Sequence, residues 1–207
     1  MQYFGLDVSS WQGVINYPKL HATGKIDFMI LRAGGSDGSN FLDPKFEYNY
    51  KMCKEYNIPV GAYYIVGKQC NNGNNGLYDA HNFYELIKGK KFEYPVYIDF
   101  ELPDRSNIEG NTNAVIMFCE YMENLRYYVG IYASDISGFK DKLDINRLTP
   151  YDKWVARYGS TPKYVKNYGI WQASSDGIIE GIKGRVDCNV SYNYYPEIIK
   201  HNHLNGY

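Results

Sequence analysis

The chain has no CxxC pair, no HExxH, no apolar run long enough to cross a bilayer and almost no net charge. Each absence removes a class of function. The four cysteines, Cys53, Cys70, Cys119 and Cys188, are too scattered for a zinc knuckle or a disulfide framework, and two of them fall on apolar helix faces, so they read as reduced thiols. The four histidines form no zincin pair, and no metal or cofactor is expected. A formal charge of −1 gives no strong attraction to polyanions, which removes nucleic acid as an expected partner. Met1-Gln2 leads almost directly into a strand, leaving no visible signal peptide, and synthesis in a cytoplasm is expected. No linker or repeat divides the 207 residues, which suit one domain. Residues 1–199 are assigned to it, and residues 200–207, with His201 and His203, to a loosely ordered polar tail.

Tyrosine, by contrast, is abundant: 23 residues, in a chain that is 17% aromatic. Tyrosine suits sugars, whose CH faces stack on rings while their hydroxyls seek hydrogen bonds, although an aromatic-heavy core would use the same residues.

The most informative stretch is Tyr94-Pro95-Val96-Tyr97-Ile98-Asp99-Phe100-Glu101, an apolar strand that turns acidic at its end. Residues two apart on a strand face the same way, so Asp99 and Glu101 point together, with α-carbons roughly 6.5 to 7 Å apart. Two carboxyls ending an apolar strand are costly unless hydrogen-bonded, solvated or used, and they are the leading candidates for acid/base chemistry. The plainer reading is a strand entering an ordinary polar loop.

Around it the chain alternates strands and helices. Strands are expected at 3–9, 28–34, 58–66, 94–101 and 127–132. Helices are expected from Asn16, from Asp43-Pro44 with Phe46, Tyr50 and Cys53 inward, after the Asn/Gly loop 69–76, and from Thr112; a weaker helical piece lies around 137–143. Three further strands, at 154–157, 169–172 and 185–187, lack helices between them, and 176–182 reads as a hairpin. Eight strands with five helical connections imply an α/β fold, a shortened (β/α) barrel in one domain. Active residues of such barrels gather where strands end. Asp7 ends the first strand, Asp99 and Glu101 the fourth and Asp187 the eighth, which neighbours the first on closure, so four carboxyls should meet at the mouth. Metal binding is the competing use of such a cluster; the lack of histidine and the surrounding tyrosine and tryptophan favour a sugar.

These segments resemble the glycoside hydrolase family 25 lysozymes, the Chalaropsis-type muramidases found as phage endolysins and bacterial autolysins. The matching stretches are Gly5-Leu6-Asp7-Val8-Ser9-Ser10-Trp11-Gln12, Gly61-Ala62-Tyr63-Tyr64, Tyr97-Ile98-Asp99-Phe100-Glu101, Gly169-Ile170-Trp171-Gln172 and residues 181–189. They span nearly the whole chain in the family's order. The resemblance implies an irregular TIM-like (β/α)5β3 barrel and hydrolysis of the β-1,4 bond from N-acetylmuramic acid to N-acetylglucosamine in peptidoglycan, with the glycan strands as partner. A wall-binding module in a longer natural chain stays open, and near-neutral charge argues that this domain does not grip an anionic wall alone.

Carried over by position, the resemblance makes Glu101 the proton donor, with Asp99 beside it and Asp7 and Asp187 completing the site. Neighbouring like charges should raise the pKa of Glu101, while Asp99, deeper in the barrel, is better placed to orient or stabilise. Tyr63, Tyr132, Trp154 and Trp171, with Gln172, are the candidate sugar-binding residues, although the aromatics among them could equally be core. Arg32 either hydrogen-bonds the carboxylates or balances a buried acid. A chitinase-like or glucosaminidase-like barrel is the enzymatic alternative, but the chitinase pattern DxxDxDxE wants aspartates where Tyr94 and Tyr97 stand. A non-catalytic glycan-binding barrel would be expected to have lost Glu101.

Overall fold

The computed structural model describes residues 1–207. The strands are β1 (Tyr3–Val8), β2 (Phe28–Gly35), β3 (Phe41–Leu42), β4 (Val60–Ile65), β5 (Val96–Asp99), β6 (Val129–Ser134), β7 (Asp152–Ala156), β8 (Ile170–Gly177) and β9 (Val186–Ser191). The helices are α1 (Tyr17–Ala22), α2 (Phe46–Glu55), α3 (Gly73–Ile87), α4 (Ile108–Asn124) and α5 (Tyr195–His201). Hydrogen bonding runs β1-β9-β8-β7-β6-β5-β4-β2, and a further β1–β2 pairing closes the ring, with β3 only a two-residue addition at β2. The result is the expected eight-stranded barrel, in which β9 runs antiparallel between β1 and β8. Helices α1 to α4 provide four connections. The fifth, after β6, is a π-helical turn (Asp135–Lys140) and a 3₁₀ turn (Ile145–Leu148).

Strand alternation sorts side chains into two apolar regions. Leu6, Val8, Met29, Leu31, Val96, Ile98, Ile131 and Val155 face outward and pack with Phe46, Phe83, Val115 and Phe118 from the helices. Phe28, Ile30, Tyr97, Tyr132, Trp154 and Ile170 face the lumen, where Tyr195 and Ile199 of α5 join them from below. Much of the tyrosine excess is therefore lumen filling. Gly130 makes room for it, since a Cβ there would lie 2.5 Å from the Tyr97 ring.

Several boundaries differ from expectation. Helix α4 starts at Ile108 because Asn107, whose side chain accepts from Gly110 N at 3.0 Å, caps it. Thr112 lies inside, its hydroxyl donating to Ile108 O. The Asn/Gly run is not wholly loop: Asn72 caps α3, and Gly73 to Gly76 form its first turn. Packing explains this, because a Cβ on Gly76 would stand 2.0 Å from the Ala114 carbonyl oxygen of α4. Asp43 does not start α2, which begins three residues later, and is instead buried in an ion pair with Arg32. The expected hairpin is the β8–β9 pair, and 178–185 is its connection. The C-terminal segment is held rather than loose. Asn205 is fully buried, donates from its side chain to Tyr94 O at 2.9 Å and accepts from Tyr128 N at 2.7 Å, acting as a piece of backbone between two strand entrances. Cys53, Cys70 and Cys119 are buried and unpaired, and no helix is long and apolar enough to cross a membrane.

Candidate active site

At the C-terminal mouth of the barrel, a cavity of about 200 Å³ is lined by Asp7, Tyr63, Asp99, Glu101, Tyr132, Trp154, Tyr158, Gln172 and Asp187. Alternation explains the membership. Outward Leu6 and Val8 leave Asp7 inward, Ile98 does so for Asp99, and Val186 for Asp187. Asp7 and Asp187 are direct partners in the β1–β9 register, which puts two carboxyls side by side; Asp187 does not end its strand as expected but opens β9, whose antiparallel course starts at the mouth. Strand β5 ends at Asp99, so Glu101 stands two residues beyond it, on the loop at the rim.

The acids sit in different surroundings. Asp7 is 5% exposed, and its Oδ2 accepts from Gln172 Nε2 at 2.9 Å and Asn189 Nδ2 at 2.8 Å. These bonds favour the ionised form, but burial, followed by the charge of Asp187, outweighs them and raises the pKa from 3.8 to about 7. Asp99 is 3% exposed with one carboxyl oxygen, Oδ1, unpartnered. Burial, then Glu101 and Asp7, hold its pKa well above the usual range, against the pull of Arg32. Burial also raises Asp187, helped by Asp176 and opposed by its own backbone amide.

Glu101 is reached by solvent, yet protein crowds its carboxyl from the cleft side; this crowding is the main cause of its raised pKa, opposed by the Lys142 ammonium and aided by Asp187. Like-charge repulsion, expected from the sequence as the cause, is thus the lesser contribution. Lys142, whose Nζ donates to the Glu101 carbonyl, was invisible in the sequence because nothing local ties residue 142 to this loop.

The aromatic and amide groups form the walls. Gln172 is a hub, its Oε1 accepting from Tyr132 OH at 2.9 Å and Tyr158 OH at 3.0 Å while its amide holds Asp7. Trp154 is buried, its indole N–H donating to Asn189 Oδ1 at 2.8 Å, and Tyr63, Tyr97 and Tyr132 meet it edge-on or tilted. It is a floor more than a wall. A second hollow of about 270 Å³ shares Glu101, Tyr132 and Tyr158 and extends along Ser134, Ile136 and Ala156.

Two expected residues lie elsewhere. Trp171 alternates with inward Ile170 and Gln172, so its ring faces away from the cavity and its N–H donates to Arg157 O. Arg32 engages no site carboxyl and takes the second of its two expected roles, balancing a buried acid: its Nε donates to Asp43 Oδ2 at 2.7 Å and its NH2 to Ser10 Oγ at 2.9 Å. Asn189 and Tyr158 were missed, although Asn189 was within reach, standing two residues after Asp187 on the same face. No three His, Cys, Asp or Glu side chains are grouped so as to hold a metal ion.

A family model described as glycosyl hydrolases family 25 matches residues 6–182. The chain belongs to that family. It is 24% identical to the autolytic lysozyme of Clostridium acetobutylicum, a match covering 89% of this chain and 54% of that protein, so the chain spans about half the length of that relative. Family 25 structures share the fold. The modular autolysin LytC of Streptococcus pneumoniae matches with TM-score 0.80 and 26% identity, over 92% of this chain and 47% of that one. A family 25 glycosyl hydrolase of Bacillus anthracis matches with TM-score 0.73 and 22% identity, over 98% and 93%.

Proposed function

We propose that this domain is a lysozyme-type muramidase that hydrolyses the β-1,4 bond between N-acetylmuramic acid and N-acetylglucosamine in bacterial peptidoglycan, acting at the cell wall. The observation that carries the reading is the convergence of Asp7, Asp99, Glu101 and Asp187 on one aromatic-lined cavity in a family 25 barrel. Glu101 is the general acid. Its raised pKa favours a retained proton, and its place on the solvent-facing rim lets it reach a leaving-group oxygen.

The nucleophile we assign is the substrate's own 2-acetamido oxygen, with net retention of configuration. Asp99 shares its side of the cleft with Glu101 and so cannot attack from the opposite face of the ring. Its buried, unpartnered Oδ1 is suited to accept the acetamido N–H, which would turn the carbonyl oxygen toward the anomeric carbon. As Glu101 gives its proton to the leaving oxygen, that carbonyl closes onto C1 to form an oxazolinium. Water, deprotonated by the same Glu101, then opens the ring and returns the β-configured sugar. Asp7 and Asp187 contribute negative charge near the cation that develops, Asp7 being held in register by Gln172 and Asn189.

The test is digestion of purified peptidoglycan, reduction with borohydride and mass analysis. Reduced muramic acid ends are expected; reduced glucosamine ends would replace the reading with a glucosaminidase, and no new ends would end it.

A further inference from the structure

Trp11 is 85% exposed, more than any other aromatic side chain, and lines neither hollow of the mouth. A lone exposed apolar residue is ordinary on a protein surface. The turn that carries this one is not ordinary. Residues Ser10–Gln12 form a 3₁₀ turn closed by a reciprocal capping box: Trp11 N donates to Ser9 Oγ at 3.2 Å and Ser9 N donates to Gln12 Oε1 at 2.9 Å. Ser10 is pinned from below, its N–H donating to Asp43 Oδ2 at 3.0 Å and its hydroxyl oxygen accepting from Arg32 NH2 at 2.9 Å. The Arg32–Asp43 ion pair that does this has its Asp43 side chain fully enclosed. A buried ion pair is an expensive way to hold a surface turn. What it secures is the backbone that carries an indole standing in water.

The turn also follows directly on a strand that carries a site acid. Trp11 is four residues beyond Asp7, hence within about 14 Å of it along the chain. It stands on the β1/β9 side of the mouth, whereas the larger hollow, with Tyr132, Ile136 and Tyr158, opens on the β6/β7 side. The β8–β9 connection flanks the turn through Gln12 Nε2 to Arg185 O and Asn16 N to Gly181 O.

We infer that Trp11 is a preorganised stacking platform for a pyranose ring of the glycan strand, beyond the two sugars that flank the cleaved bond. The inference rests on the muramidase reading for its ligand. An aromatic carried on a fixed backbone loses less freedom on binding than one on a mobile loop, and a sugar's CH face is its natural partner. Arg32 and Asp43 then act on binding indirectly, as positioning residues for the turn.

The experiment measures binding apart from hydrolysis. In a Glu101→Gln background, Trp11→Ala and Trp11→Phe are tested for co-sedimentation with purified insoluble peptidoglycan. Trp11→Ala should weaken binding roughly five- to tenfold and Trp11→Phe should restore most of it. In the active protein, Trp11→Ala should raise KM on polymeric peptidoglycan by a similar factor, with kcat moving less, and the loss should shrink on a disaccharide-dimer fragment too short to reach the turn. Unchanged sedimentation of Trp11→Ala would overturn the inference. So would equal losses for both variants with a lowered melting temperature, or equal losses on long and short substrates. If wild-type protein releases no reducing ends, the muramidase reading falls, and weaker sedimentation of Trp11→Ala would still stand for the platform.

Discussion

Replacing Asp7 by asparagine should stabilise the protein above neutral pH and lower its activity. In the folded state Asp7 is buried beside Asp187 and titrates at about 7 instead of 3.8. The native state therefore binds this proton more tightly than the unfolded chain does. The stability so gained is fully present below about pH 4 and is lost as pH rises through about 7. At about 1.4 kcal/mol for each pH step, a carboxyl held at about 7 instead of 3.8 costs on the order of 4 kcal/mol once fully ionised. Asp187, which can take up a proton in its place, returns part of this. Asparagine keeps the acceptor oxygen that Gln172 and Asn189 need and removes the charge. Since about 1 kcal/mol moves the melting temperature of a domain this size by roughly 2–4 °C, Asp7→Asn should melt roughly 5 °C or more above wild type at pH 8 and level with it at pH 4. Calorimetry across that range measures it. A lowered or unchanged melting temperature at pH 8, or an equal gain at both pH values, would refute the account of Asp7 as a destabilised buried acid.

Glu101→Gln should leave the fold intact and lower turnover at least ~100-fold, the low end for loss of a general acid; near-wild-type lysis by the folded variant would remove Glu101 from that role. Peptidoglycan whose muramic acid is N-deacetylated lacks the attacking oxygen and should resist cleavage while acetylated wall is digested. NMR of the first-formed product should show the β anomer, and the α anomer would mean direct attack by water. Gly76→Ala should destabilise by roughly 1–3 kcal/mol in urea denaturation, since the added methyl meets the Ala114 carbonyl oxygen at 2.0 Å and α3 must move off α4; an unchanged midpoint would show that the helices yield freely.

Much of the barrel was legible because its signals are local. Short apolar runs mark β1, β2, β4, β5 and β6, and the thinning of helices after residue 143 foretold β7, β8 and β9 on their own. Errors came where another contact, local or distant, overrode the more obvious preference. Thr112 looks like a cap until Asn107, one turn earlier, is seen holding Gly110 N. Gly73 to Gly76 look like a loop until α4 is packed against them, when the missing side chain at Gly76 becomes the reason the helix fits there. Asn205 looks like tail until the strand entrances at Tyr94 and Tyr128 need its amide.

The site divides along the same line. Asp7 and Asp99 close their strands while Asp187 opens the antiparallel β9, and all three face the lumen at the same end of the barrel by parity. Arg32 also obeys parity, yet its partner is decided by Asp43, which the sequence presents only as the residue before a proline. The energetics follow the partner. An arginine on the site carboxylates would have pulled their pKa values down and left no reservoir of protons for an acid catalyst. With the guanidinium taken up by Asp43 and Ser10, the cation that opposes the rise at Glu101 is Lys142, and burial raises Asp7, Asp99 and Glu101 together. The ion pair that steadies the Trp11 turn is thus the same one that keeps a strong neutralising contact out of the cleft, and breaking it by Asp43 substitution would alter the acidity of the site as well as the turn.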